Sequence, residues 1–210
     1  MIFKKVFMMP LLIILFSFSA YAEENSSVRG IYTRLPGHEF KFDGKQVEIT
    51  EFLSFYCGHC YKFEKSIPVI KGNFPKKIKW KIVPVYWGNG SPKPGEAYFL
   101  AEEAGKGEEM KKALFRALFI ERRDIGNIEV LEDIGSKIGL GFDFSRRLRA
   151  GDKARDVGEA ILLQKEYGVN ETPTLIIAGN LKTSTGMFHG SNISLEDNTI
   201  TILKSIFKKQ

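Results

Sequence analysis

The sequence predicts an α/β fold, a mixed central sheet flanked by helices and interrupted by an all-helical subdomain. Three observations predict it. The run Val47-Glu-Ile-Thr-Glu-Phe-Leu-Ser-Phe-Tyr56 is a strand pattern, followed by a helical pattern and then by a second strand pattern. From Pro92 to about Gly168, glycine-punctuated amphipathic segments follow one another with no strand of comparable quality. Sheet pattern returns at Thr174-Leu-Ile-Ile-Ala178.

At the N-terminus, Lys4 and Lys5 precede the apolar stretch Val6 to Phe18, and Ala20-Tyr21-Ala22 gives a small-x-small pattern before Glu23. This is the layout of a cleaved secretory signal, so residues 1–22 are expected to be removed. The apolar stretch is shorter than the roughly 20 residues that cross a bilayer, which argues against a retained anchor. Export would put the chain where disulfides persist. Removing the signal leaves 29 basic against 25 acidic side chains, a mildly basic balance. The lysines of Lys76-Lys77-Ile-Lys79-Trp-Lys81 and the arginines Arg146, Arg147 and Arg149 carry no nucleic-acid motif and read as solvated faces. The rest of the chain divides into residues 23–91 and 169–210, the two parts of the sheet domain, and residues 92–168, the helical insertion.

Taking the elements in order, Val47, Ile49, Glu51, Leu53 and Phe55 share one face of the first strand, and Phe52 makes the other face apolar too. Such a strand belongs in the middle of a mixed or parallel sheet. Phe63, Ile67 and Ile70 recur at helical spacing, with Pro68 predicting a kink or an early end. Ile78, Trp80 and Ile82 alternate with Lys79 and Lys81 in a strand running to about Val85, which completes a βαβ unit. Within the insertion, Met110, Leu114 and Leu118 make one stripe, Leu131, Ile134 and Ile138 a second, and Ala154, Val157 and Ile161 a third. Gly179-Asn180 is expected to turn the strand at Thr174 into an antiparallel strand beginning near Leu181. Ser194 with Asp197 starts the last helix, which buries Ile200, Leu203 and Phe207.

The chemistry concentrates in the only two cysteines, Cys57 and Cys60, spaced as Cys-Gly-His-Cys between the first strand and its helix. At a helix N-terminus the unpaired N–H groups and the helix dipole favour a thiolate. A disulfide between these two closes a very short loop and constrains the unfolded chain little, so it points to redox work, not to stability. Two other readings use the same residues. The cysteines with His38, His59 and His189 could make a metal carrier, although the second half of a zinc motif is missing. Alternatively, the fold could be a peptide-binding module with an inert disulfide.

The run Glu51-Phe-Leu-Ser-Phe-Tyr-Cys57-Gly-His-Cys60-Tyr-Lys-Phe-Glu64, with Thr172-Pro173-Thr174 far downstream and a helical insertion between, closely resembles the DsbA family of the thioredoxin superfamily. The likeness covers essentially the whole expected mature chain. It implies a thioredoxin fold and a periplasmic, monomeric enzyme that donates the Cys57–Cys60 disulfide to reduced, unfolded exported proteins. It implies no cofactor besides that disulfide, no bound metal, no nucleic-acid partner, and reoxidation by a membrane-bound partner of the DsbB type. It also implies a cis Pro173 beside the cysteine pair, a buried acid at Glu51 beneath it, and a supporting Glu64.

Physical roles follow for the residues that carry the likeness. Cys57, exposed at the helix start, is expected to be the nucleophilic and leaving thiol, and Cys60, one turn inside, the resolving thiol. His59 can stabilise the Cys57 thiolate by charge or hydrogen bond, which makes the disulfide a stronger oxidant. Pro173 opens a strand with Thr172 before it, where a substrate peptide can pair. Glu51 is expected to accept or relay the Cys60 proton. Two departures from the strong bacterial oxidases favour an isomerase or reductase as the alternative activity. Gly58-His59 stands where they have Pro-His, as in eukaryotic disulfide isomerases, and Thr172 replaces the valine common before the cis-proline.

Overall fold

The computed structural model describes residues 28–88 and 90–208. The expected signal, residues 1–22, lies outside the described residues. Among the described residues, five strands form one mixed sheet: β1 (Thr33–Arg34), β2 (Val47–Leu53), β3 (Ile78–Pro84), β4 (Thr174–Ile177) and β5 (Leu181–Ser184), in the order β1-β5-β4-β2-β3. Only β2 and β3 are parallel; the other pairs are antiparallel. β2 sits between β3 and β4, so both its faces are covered, as its two apolar faces require.

After β2 the chain enters α1 (Gly58–Phe63) and, after a break at Glu64 and Lys65, α2 (Ser66–Asn73). Pro68 explains the break, because it has no N–H to return to the carbonyl of Glu64, four residues back. One face of the sheet packs Val47, Ile49, Leu175 and Ile177 against Ile67 and Ile70 of α2 and against Ile202, Leu203 and Ile206 of α8 (Leu195–Phe207). The Ser194 hydroxyl caps α8 by accepting from the Asp197 N–H at 3.0 Å, at the expected start. The buried face of α8 differs from expectation. Leu195, Asn198, Ile202 and Ile206 turn inward with Leu203, while Ile200 and Phe207 lie at its edge. The shift follows from Asn198, whose side chain bridges the Ile31 N–H at 2.7 Å and the Ile31 carbonyl at 2.9 Å, so a polar residue occupies the inner face.

The stretch between β3 and β4 holds α3 (Lys93–Glu103), α4 (Gly107–Phe119), α5 (Ile128–Lys137), α6 (Phe142–Ala150) and α7 (Ala154–Glu166). Met110, Leu114, Leu131 and Ile134 are buried as their stripes predict. The third stripe is corrected: Ala154 is exposed, and α7 turns Val157, Ala160 and Gln164 inward. Ala160 packs with Phe52, Val83, Val85 and Ile176, so α7 lies on the second face of the sheet. α3 packs against all four other helices of the stretch. It is buried nearly all round, which erases the apolar-polar period that would have announced it.

The β4–β5 turn also differs, running over Ala178 to Asn180 with positive φ at Ala178 (51°) and Gly179 (82°). Gly179 is required there twice over, since a Cβ would also stand 2.8 Å from the Glu39 carbonyl oxygen. β1 has two exposed residues and no apolar pattern, and no sequence signal marks it.

Candidate redox site

Cys57 is the N-cap of α1, with extended backbone (φ −92°, ψ 114°), because the chain leaves the strand β2 and turns into the helix there. Its Sγ accepts from the Cys60 N–H at 3.2 Å, so the thiol caps the helix it begins. The same thiol can donate to the Thr172 carbonyl oxygen at 3.3 Å, 115 residues away in sequence. Thr172 and Pro173 are both buried, the peptide bond between them is cis, and Thr174 begins β4. β4 pairs with the C-terminal half of β2, with Phe52 opposite Thr174, and this pairing carries the Thr172-Pro173 turn to the mouth of α1.

The two thiols, both free, differ sharply. Cys57 is half-buried and its pKa falls to about 5. The Cys60 thiol is the largest cause, burial opposes it, and the Thr172 side chain and the N–H groups of Cys60 and His59 add to the lowering. Cys60 is fully buried, within the core that joins Leu53 and Phe55 to Met110, Leu114 and Phe115 of the insertion. Burial first, and then Cys57, hold its thiol well above the ordinary value. His59 is exposed and reaches Cys57 through its backbone N–H. Gly58 has an ordinary φ, and a Cβ there would stand 3.8 Å from the Phe119 ring, so the backbone does not demand glycine at this place.

The two carboxylates named with this motif, Glu51 and Glu64, lie on β2 and just after α1. Glu51 is 0% exposed; its Oε2 accepts from Trp80 Nε1 at 2.8 Å and its Oε1 has no hydrogen-bond partner among the described residues. Burial pushes its pKa up to about 7 against the pull of Lys111 and Trp80. Glu64 follows α1, and its N–H donates to the Cys60 carbonyl at 3.2 Å. Its carboxylate stands 3.0 Å from Lys111 Nζ, which is also 3.3 Å from Glu108 Oε2. Lys111 is 1% exposed and comes from α4, in the insertion. Glu64 thus pairs with a buried ammonium whose charge also acts on Glu51, and the Glu64 backbone N–H holds the Cys60 carbonyl. Lys111 escapes sequence reasoning because one lysine of Lys111-Lys112 in an amphipathic helix looks like a solvated residue.

Among the described residues, no group of three or more His, Cys, Asp and Glu side chains is placed to hold a metal ion. His38 stands 4.0 Å from Glu166 and packs its ring on Tyr167, on the side of α7.

A family profile described as a DSBA-like thioredoxin domain matches residues 78–194, from β3 through the helical stretch to the start of α8; the cysteine motif lies upstream of the match. Among curated proteins, the thiol:disulfide interchange protein DsbA of Azotobacter vinelandii is 22% identical over 166 residues, covering 79% of this chain and 78% of the relative. That of Haemophilus influenzae is 36% identical over 77 residues, 35% of this chain and 38% of the relative. Among solved structures, DsbA of Pseudomonas aeruginosa superposes with a TM-score of 0.67 at 19% identity, covering 89% of this chain and 95% of the other. The oxidoreductase DsbA of Xylella fastidiosa gives 0.67 at 16%, with 87% and 98% covered. These likenesses identify the mixed sheet with its helical stretch as the thioredoxin-like fold that such proteins carry.

Proposed function

The chain belongs to the family of DSBA-like thioredoxin domains, and from that premise we propose that it donates the Cys57–Cys60 disulfide to reduced, newly exported proteins. The broad class is thiol:disulfide oxidoreductase. The observation that carries the direction is the asymmetry of the two thiols, with Cys57 half-exposed and titrating near 5 and Cys60 buried and held high.

In the oxidised enzyme, a client thiolate attacks Cys57 Sγ, the Cys57–Cys60 bond breaks, and Cys60 leaves with the electron pair and takes up a proton. A second client thiolate then attacks the client sulfur of the mixed disulfide and expels Cys57. Two electrons pass to the enzyme, and the client gains one disulfide. A thiol of low pKa is the better leaving group, so the second step runs readily toward oxidised client. The Cys60 thiol first, and then the Thr172 side chain and the N–H groups of Cys60 and His59, hold the departing Cys57 sulfur as an anion. In this reading Thr172 and Pro173 border the thiols where a client peptide lies.

Reoxidation by a membrane-bound partner of the DsbB type, a periplasmic site of action and a monomeric state complete the proposal. A second reading, disulfide isomerase or reductase, is favoured by the Thr172 side chain, which acts on both sulfurs. The test of the mechanism is trapping: Cys60→Ser should accumulate mixed disulfides with clients that reductant releases, and Cys57→Ser should not. Equal trapping by both variants, or none by the Cys60 variant, would overturn the assigned order of the thiols.

A further inference from the structure

Glu171, the residue before Thr172, is tied at both its ends. Its carboxylate accepts from the Ser184 hydroxyl at 2.5 Å and from the Gly186 N–H at 3.1 Å, at the junction where β5 passes into a 3₁₀ turn (Thr185–Phe188). Its own carbonyl accepts from the Thr174 hydroxyl at 2.8 Å. Between these two anchors runs the Thr172-Pro173 segment, whose Thr172 carbonyl lies 3.3 Å from Cys57 Sγ.

We propose that Glu171 is a positioning residue of the redox site: its carboxylate, clamped by Ser184 and Gly186, holds Thr172 at its place over the Cys57 thiol. The inference rests on the oxidoreductase reading and names a determinant of its nucleophile. Gly186 supplies the second observation. Its φ is ordinary, so the backbone does not require glycine, yet a Cβ at this position would stand 2.3 Å and 2.5 Å from the two Glu171 carboxylate oxygens. The glycine is explained by the carboxylate it admits. Both donors are directed at an anionic acceptor, the stronger kind of hydrogen bond, and Ser184 is itself buried. The clamp matters to the thiol because it fixes the residue whose carbonyl stands 3.3 Å from Cys57 Sγ and whose side chain is among the groups that lower the Cys57 pKa.

The experiment uses the full chain, reduced, as the parent and as Glu171→Ala, Glu171→Gln, Ser184→Ala and Gly186→Ala. The rate of Cys57 alkylation by iodoacetamide is followed against pH, and turnover is measured with a reduced, unfolded client. Glu171→Ala and Gly186→Ala should each move the Cys57 half-titration upward by about one pH unit and slow turnover severalfold, as expected when a group stabilising the anion is displaced. Ser184→Ala should give a smaller shift of the same sign. Glu171→Gln, whose amide can still receive the Gly186 N–H and donate to Ser184, should stay close to the parent. Parental titration and turnover in Glu171→Ala would overturn the proposal. If that variant does not fold, a parental Ser184→Ala together with a parental Gly186→Ala would do so. A parent Cys57 that titrates as an ordinary cysteine would instead overturn the oxidoreductase reading beneath it.

Discussion

Cys57 and Cys60 carry the same functional group three residues apart, and the fold makes them chemically unlike. The N-cap position supplies Cys57 with N–H groups and leaves it partly open, while the first turn of α1 carries Cys60 into the core shared with the insertion. For the reduced protein, alkylation of Cys57 should therefore reach half its limiting rate near pH 5, where an ordinary cysteine is inert. The folded pKa lies below the unfolded value of 9.0, so this group stabilises the reduced folded state above pH 9, and that contribution is lost as the pH falls toward 5. Glu51 has the opposite sign. Its folded pKa of about 7 exceeds the model-peptide value of 4.5, so its contribution is fully present below pH 4.5 and is lost as the pH rises through 7. Between those limits the parent should lose about 3 kcal/mol more stability than Glu51→Gln, read from urea unfolding at a series of pH values. Parallel pH profiles for the two proteins would show that Glu51 is not held protonated.

At the scale of elements, the join between α1 and α4 is the part of the site that sequence reading did not foresee. Lys111 enters from the insertion and meets Glu64, the residue whose N–H holds the Cys60 carbonyl. Removing the cation leaves Glu64 without its ion-pair partner and Glu51 without a nearby positive charge, so Lys111→Met should destabilise the protein by about 3–5 kcal/mol. The loss should be smaller at pH 5 than at pH 8, because protonation of Glu51 and Glu64 relieves it, and Lys111→Met/Glu64→Gln should recover part of it. Urea unfolding at the two pH values checks both statements; an equal loss at both would place the effect in packing. The strands β2 to β5 and the redox motif were legible because apolar strand runs and a Cys-x-x-Cys before a helix are local patterns, whereas the two exposed residues of β1 carry no such pattern. The inward faces of α7 and α8, the burial of α3 and the role of Lys111 were not, since each is set by what packs against the helix. α7 turns Ala160 to the sheet rather than Ala154, and α8 gives its inner face to Asn198, for partners that lie far away in sequence.

At the scale of the molecule, the insertion and the sheet share one core, and Cys60 lies inside it. The helical stretch is thereby part of the thiol's environment. The surface arginines foreseen as solvated are largely occupied in ion pairs, Arg147 with Glu103 and Asp152 and Arg149 with Glu132. Such exposed pairs contribute little to stability, which leaves the shared core and the buried Lys111 cluster to hold the site together. The central claim is that the fold stabilises the reduced pair through the Cys57 thiolate and so makes the Cys57–Cys60 disulfide an oxidant. The equilibrium of the purified protein against a series of reduced and oxidised glutathione mixtures tests this most directly. The account predicts a reduction potential above about −200 mV, on the oxidising side of the glutathione couple; a value near about −270 mV, where reducing thioredoxins lie, would contradict it.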